Sequence, residues 1–193
     1  MKVLLFLPKG FEHMETGVFI DVIGWAREVC GDDIELAVGG FLKEVPSTFG
    51  VPIVASLLPG DIRAADYDAL ALPGGFEEYG YYDEAFDEWF LSLIREFNTA
   101  EKFIASICVG ALPLGKSGIL RGRRATTYHL DGGRRQKQLA EFGADVVQES
   151  VVVDGNVITS CCPETAIRVA FRLLEMMTGK GRTDRVRAAT GYV

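Results

Sequence analysis

Residues 103–111 read Phe-Ile-Ala-Ser-Ile-Cys-Val-Gly-Ala, an apolar run that passes directly into small residues around a cysteine. The run is typical of a buried strand, and Ser106 and Gly110 stand two residues before and after Cys108. This spacing predicts a nucleophile elbow, a sharp strand-to-helix turn without space for bulky neighbours. At a helix start, free backbone N–H groups favour a thiolate over a thiol. The local pattern leaves two interpretations open, an activated nucleophile and a buried structural cysteine.

Strand and helix signals alternate on both sides of this turn. Residues 3–7 and 68–72 are continuous apolar runs, which indicate buried strands. Residues 16–29 carry an apolar stripe at helical spacing, and residues 86–97 place their large apolar groups on one helix face. This alternation predicts an α/β protein with a mostly parallel sheet covered on both faces, a three-layer α-β-α sandwich of flavodoxin-like type.

The remaining elements are weaker in signal. The sequence predicts a strand at 34–38, part of a β excursion at 51–56, a strand at 124–128, a hairpin joining 151–153 to 157–159, a short helix after Cys108, a helix at 136–142 ended by Gly143, and a last helix after Pro163. In parallel sheets ligands bind beyond the carboxyl ends of the strands. The loops at 8–15, 73–80 and 106–110 are therefore the candidate site.

Composition bounds the kind of protein. The 193 residues, 48% of them hydrophobic, suit one domain over residues 1–179 followed by a C-terminal tail at 180–193. The formal net charge of −7 and the interleaved basic residues argue against nucleic-acid binding. The apolar start is too short for a signal peptide or a membrane span, so we expect a soluble, cytoplasmic protein.

The four cysteines predict no metal centre. They show no Cys-x-x-Cys spacing and only two histidines accompany them, so we expect reduced thiols and no metal.

A competing motif overlaps the elbow. Residues 110–117 match the phosphate-loop pattern G-x-x-x-x-G-K-S letter for letter. Such a loop must feed a helix that starts near Lys116 and Ser117, but Gly118 and Gly122 follow at once. Nucleotide binding is therefore the weaker alternative.

Four phrases resemble a known family. They are KGFEHMET at 9–16, LPGG at 72–75, ICVG at 107–110 and VITS at 157–160. Together they resemble the ThiJ/PfpI superfamily, and in particular its branch that contains the Parkinson-linked protein deglycase and glyoxalase III. The likeness spans roughly residues 2–179. It implies a fold like that of class I glutamine amidotransferases, and it favours Cys108 as a nucleophile.

The resemblance also implies roles for other residues. Glu15 matches an acidic residue that relatives hold protonated beside the cysteine, where a neutral carboxyl can donate a hydrogen bond to a thiolate. Gly74 and Gly75 match a glycine pair whose backbone approaches the cysteine, and the N–H of Val109 would be a second oxyanion donor. Alone, Glu15 would be read as a residue favoured by the helix dipole, and the glycines as turn formers.

The third catalytic group stays open between two neighbours. In relatives a histidine ends the strand after the elbow, but this chain reads Thr-Thr-Tyr-His at 126–129. Tyr128 fits the histidine position best, and His129 is either catalytic or a solvated loop residue. Val109 stands where the protease-like branch has a histidine, which disfavours that branch. Cys161 and Cys162 are either redox-sensitive or small residues that close a core strand.

The resemblance implies a homodimeric, cofactor-independent enzyme of the glyoxalase III or deglycase kind, acting on a small-molecule substrate. The Cys108 thiolate would add to a reactive carbonyl, with Glu15 or His129 moving the proton. Two alternatives use the same residues. One is a redox-sensing or chaperone-like protein with an oxidisable Cys108, and the other is an isonitrile-hydratase-like enzyme.

Overall fold

The computed structural model describes residues 1–31 and 33–192. The strands are β1 (Lys2–Leu7), β2 (Glu35–Gly40), β3 (Glu44–Val45), β4 (Ile53–Val54), β5 (Ala69–Leu72), β6 (Phe103–Ser106), β7 (Arg124–Ala125), β8 (Asp145–Val146), β9 (Val151–Asp154) and β10 (Val157–Ser160). The helices are α1 (His13–Cys30), α2 (Tyr81–Ala85), α3 (Glu88–Thr99), α4 (Ala111–Ser117), α5 (Arg134–Glu141), α6 (Ala166–Thr178) and α7 (Lys180–Thr190).

The main sheet confirms the predicted fold class. Its strand order is β2-β1-β5-β6-β10-β9, and every pairing is parallel except β10 with β9. Helices α1, α6 and α7 pack together, whereas α3 packs with α4 and α4 with α5, so helices cover the sheet as in an α/β sandwich. The carboxyl ends of β1, β5 and β6 are adjacent, which brings the loops after these strands to one place.

The core explains why the central strands are apolar throughout. Residues 3–7 of β1 and all of β5 are fully buried, because both faces of the sheet are covered. On α3 the side chains spaced three and four apart are the buried ones, as the stripe predicts. One of them, Phe90, stacks on Phe6 with ring centroids 4.3 Å apart. The frame under the candidate site is therefore closely packed.

The hairpin of β9 and β10 is confirmed, with Gly155 in the left-handed region of its turn at φ 59°. The β excursion predicted at 51–56 is present as β4, which forms a short hairpin with β3. The strand expected over 124–128 instead ends at Ala125 and pairs with β8 outside the main sheet. Residues 126–129 continue without regular structure.

The expected C-terminal tail is instead largely the helix α7. It packs against α1 and α6, and Val186 is fully buried. The thiol of Cys30 donates a hydrogen bond to the carbonyl of Arg182 at 3.7 Å. Because of these contacts, residues 180–190 belong to the fold. Composition alone did not predict this, because basic residues occupy exposed positions of α7.

Across residues 1–31 and 33–192, no helix combines the length and the apolar character needed to cross a membrane.

Candidate active site

Cys108 lies on a strained turn between β6 and α4. Its φ is 56°, in the left-handed region that side chains other than glycine rarely adopt. Such a conformation costs about 1–3 kcal/mol, and it persists where the surrounding structure fixes it. The close approach of Gly110 is one such constraint, because a Cβ there would lie 3.0 Å from the carbonyl oxygens of Leu72 and Pro73. The turn leaves Cys108 only 8% exposed, at the wall of a cavity.

Glu15 is a fully buried carboxyl in the first turn of α1. The backbone N–H of Gly74 donates a hydrogen bond to its Oε2 at 2.6 Å, and Oε1 has no hydrogen-bond partner among the described residues. Burial raises the pKa of Glu15 to about 8, although the Gly74 N–H and interaction with Cys108 oppose the rise. Glu15 therefore keeps its proton at neutral pH, which makes it a hydrogen-bond donor rather than an anion.

Opposing effects act on the pKa of Cys108. Burial raises it well above the ordinary value and an ionised Glu15 would raise it further, whereas the backbone N–H of Val109 lowers it. The effect of Glu15 on the pKa of Cys108 depends on whether Glu15 is protonated. A neutral carboxyl donates a hydrogen bond to the thiolate and lowers this pKa, whereas a carboxylate repels the thiolate and raises it. Since Glu15 ionises only near pH 8, the favourable arrangement is the one present at neutral pH. The two groups titrate as a coupled pair.

The backbone donors divide into two roles. The N–H of Gly74 is engaged by Glu15, so Gly74 positions the acid. Val109 supplies its N–H to Cys108, and both Val109 and Gly75 line the cavity beside the thiol. The glycines are needed sterically, because a Cβ at Gly74 would lie 2.9 Å from Oε2 of Glu15 and one at Gly75 only 2.3 Å from the carbonyl oxygen of Gly10.

The structure separates Tyr128 from His129. Tyr128 is half-buried and lines the cavity with Cys108, whereas exposed His129 lies at a different cavity with Cys161 and Cys162. In this arrangement Tyr128, rather than His129, lines the cavity that contains Cys108.

The Cys108 cavity has a volume of about 440 Å³. Its wall includes Glu12, Phe76, Glu77 and Glu78 from the predicted loops at 8–15 and 73–80. The sequence pattern did not predict the other contributions, which come from Leu130, Asp131, Arg134, Arg135, Pro163 and Glu164. Glu77 joins the two arginines, with its Oε2 2.7 Å from Arg135 and 3.2 Å from Arg134. These arginines lower the pKa of Glu77, so this wall is an ionised cluster. Only the tertiary fold brings these loops together.

The phosphate-loop alternative is excluded by the backbone. Residues 111–117 form the helix α4 itself, so the motif builds no open loop of N–H groups around a phosphate. The Nζ of Lys116 lies 4.4 Å from the centroid of the Phe86 ring, and Ser117 Oγ donates to the carbonyl of Leu114. Both side chains have structural roles.

Comparisons with known proteins agree with this geometry. The DJ-1/PfpI family matches residues 1–176 of the chain. The chain is 30% identical to Protein DJ-1 homolog A of Arabidopsis thaliana over 186 residues, which cover 95% of the chain but only 45% of that relative. It therefore spans less than half the length of this relative. It is 28% identical to the Parkinson disease protein 7 homolog of Danio rerio, over 97% of the chain and 95% of that protein.

Solved structures show the same architecture. The crystal structure of Drosophila melanogaster DJ-1beta has a TM-score of 0.86 and 27% identity, covering 100% of the chain and 98% of the Drosophila chain. One conclusion follows from the family match over nearly the whole length, the shared fold and the cysteine on a strained elbow. The chain belongs to the DJ-1/PfpI family.

Proposed function

We propose that the chain is an enzyme that uses the Cys108 thiolate to act on small 2-oxoaldehydes and related reactive carbonyls. The observation that carries the proposal is the pairing of a thiol on a strained elbow with a buried carboxyl that stays protonated at neutral pH. A neutral acid beside a thiol stabilises the thiolate and can then give its proton to an oxygen formed on the substrate. The cavity volume of about 440 Å³ suits a small molecule.

The chemistry needs no added redox partner. The thiolate adds to the aldehyde carbon, the carbonyl electron pair moves to oxygen, and Glu15 protonates that oxygen to give a hemithioacetal. The Glu15 carboxylate then takes the proton from this carbon, and the hydroxyl proton on its oxygen passes to the neighbouring ketone oxygen. Glu15 returns the carbon-bound proton to the second carbon, so the first carbon is oxidised to a thioester and the second is reduced to an alcohol. Water hydrolyses the resulting thioester to a 2-hydroxy acid and releases the thiol.

The surroundings of Cys108 assign the supporting roles. The N–H of Val109 is the oxyanion donor, and Gly75 lines the cavity beside it. Tyr128 is one of the polar side chains that line the same cavity as the thiol, whereas His129 lies at another cavity. Glu15 is therefore the proton carrier of the proposal.

Turnover of methylglyoxal to lactate tests the proposal. We expect the native protein to convert it, Cys108→Ser to lose activity by about 1,000-fold or more, and Cys30→Ser to match the native protein. The Cys30 variant controls for loss of a thiol far from the site. Failure of the native protein to convert 2-oxoaldehydes, or full activity in Cys108→Ser, would overturn the proposal.

A redox role is the second candidate, and one observation favours it. The buried Oε1 of Glu15 has no hydrogen-bond partner in the described chain, so a protonated Glu15 could donate to a sulfinate oxygen on Cys108. Peroxide titration with mass spectrometry distinguishes this role. Selective gain of two oxygens at Cys108, with partner binding and without carbonyl turnover, supports the sensor.

We also infer a homodimer, supported by exposed apolar side chains near the start of α1. Met14, Phe49, Val51 and Val54 are each between 61% and 66% exposed. His13 Nε2 lies 2.5 Å from the carbonyl oxygen of Val51, which places the segment around Val51 beside the start of α1. Large exposed apolar side chains grouped near one another are typical of an interface. Sedimentation equilibrium should give a dimer for the native protein and a monomer for Val54→Asp; a native monomer would contradict the inference.

A further inference from the structure

A second cluster of reactive side chains lies outside the Cys108 pair. His129 follows the segment after β7, and Cys161 and Cys162 follow β10 directly. One ligand atom from each of the three lies within 4.8 Å of the others, and the two Sγ atoms are 3.4 Å apart. Both thiols are free. The fold thus assembles a Cys2His set from two adjacent cysteines and a histidine that precedes them by more than thirty residues, a spacing unlike Cys-x-x-Cys.

We propose that His129, Cys161 and Cys162 bind a thiophilic d10 cation, with Zn²⁺ as the expected ion. Two thiolates and an imidazole are the donors that Zn²⁺ and Cu⁺ prefer, whereas Mg²⁺ and Ca²⁺ prefer oxygen. The three atoms are already close to the spacing of ligands around one such ion, so small side-chain rotations complete the site. Three protein ligands leave a position for water or for a carboxylate.

The surroundings support a bound ion. The cluster opens on a cavity of about 280 Å³ whose other residues are all polar, namely Thr126, Gln136, Gln148, Glu149, Ser150 and Glu164. Thr126 is only 1% exposed, and its Oγ1 has no hydrogen-bond partner within the described residues. A buried hydroxyl is costly to leave unsatisfied, and a water held on the ion would satisfy it.

The backbone around the ligands is held in place. The N–H of Cys161 donates to the carbonyl of Ser150 at 3.0 Å, and the N–H of Thr126 donates to Oγ1 of Thr159 at 3.0 Å. The first bond holds Cys161 against the residue that precedes β9, and the second joins the segment that leads to His129 to β10, which leads to the two cysteines. Because the backbone that carries the ligands is already held in position, less conformational entropy is lost when the ion binds.

The site would share a wall with the active site. Cys162 and Glu164 line both the cavity of the cluster and the Cys108 cavity. An ion on Cys162 would hold that side chain away from Cys108. Metal binding at this cluster does not require carbonyl turnover at Cys108. An experiment can therefore contradict the metal site without contradicting the proposed enzyme activity, and the reverse.

Titration of the reduced full-length protein with Zn²⁺ against a chromophoric chelator tests the site. A Cys108→Ser background removes the catalytic thiol from the competition. We expect one equivalent of Zn²⁺, loss of binding in Cys161→Ser/Cys162→Ser, and weakening by about tenfold or more in His129→Ala. Cys30→Ser and His13→Ala are the matched controls and should bind like the background. Circular dichroism in EDTA verifies that each variant is folded.

Replacement of Zn²⁺ by Co²⁺ reports the ligands directly. We expect thiolate-to-cobalt charge-transfer absorption that vanishes in the double serine variant. Cu⁺ is titrated in parallel, and binding with the same dependence on the three residues also supports the site. The proposal is overturned if neither ion binds, if binding persists in the double serine variant, or if cobalt binds without thiolate absorption.

Discussion

The backbone N–H of Gly74 holds Oε2 of Glu15 at 2.6 Å, and this bond fixes a buried carboxyl beside the reactive thiol. One carboxyl oxygen thereby accepts a hydrogen bond, whereas Oε1 has no hydrogen-bond partner among the described residues and is the oxygen that we propose carries the proton. Because burial raises the pKa of Glu15 to about 8, the acid is neutral where the protein would work. The chemistry that we propose for the site depends on this neutral acid.

The pKa of Glu15 makes stability depend on pH. The pKa is raised from 4.5 to about 8 on folding, so the folded state binds the proton more tightly. This contribution is fully present below pH 4.5 and is lost as pH rises toward 8, at about 1.4 kcal/mol per pH unit. We expect urea unfolding of Cys108→Ser to show this slope, and Cys108→Ser/Glu15→Gln to lack it. Equal slopes in the two proteins would contradict the assignment.

Gly75 should tolerate no side chain. A Cβ there would lie 2.3 Å from both the Gly10 carbonyl oxygen and Cδ2 of Tyr81, so Gly75→Ala should lower the free energy of unfolding by about 3 kcal/mol or more. Gly24→Ala in α1 is the control. Its Cβ would meet no atom of the described chain within 4 Å, so it should stabilise by about 0.5–1 kcal/mol. Equal stability of the two variants in urea would refute the close approach.

Tyr128 and His129 should differ sharply in carbonyl turnover measured in EDTA. Tyr128 lines the Cys108 cavity, so Tyr128→Phe should lower kcat/KM by about tenfold, as expected for loss of one hydrogen bond to the reacting molecule. His129 lies at the other cavity, so His129→Ala should change kcat/KM by less than about twofold. A larger loss of kcat/KM in His129→Ala than in Tyr128→Phe would instead support a catalytic role for His129.

Helix α7 should contribute to stability. Val186 is fully buried, so Val186→Asp places an unpaired charge in the core and should cost about 3 kcal/mol. Arg185 is exposed on the same helix, and Arg185→Asp should change the free energy of unfolding by less than about 0.5 kcal/mol. Thermal unfolding of the two variants compares them; matching transitions would show that the helix is not docked.

Local sequence predicts what local forces determine. The apolar runs at 3–7 and 103–107 identify buried strands because no other arrangement hides both of their faces, and the spacing of Ser106 and Gly110 around Cys108 predicts the turn. The role of Glu15 was available only from resemblance, since an acidic residue in a first helical turn is ordinary.

Long-range contacts could not be predicted in this way. Whether Tyr128 or His129 faces Cys108 depends on where β7 ends, and the sequence pattern places that end three residues too late. The approach of His129 to Cys161 and Cys162 depends on how two separate chain segments meet. Helix α7 was concealed because its buried face is small and its exposed face is basic.

The most direct test of the account is the pH dependence of alkylation at Cys108, resolved for each cysteine by mass spectrometry, in the native protein and in Glu15→Leu. Partly exposed Cys30 is the internal reference. The account predicts a Cys108 midpoint below the free-thiol value of about 8.5, rising above it in Glu15→Leu. A midpoint above that of a free thiol in both proteins, as burial alone dictates, would contradict it.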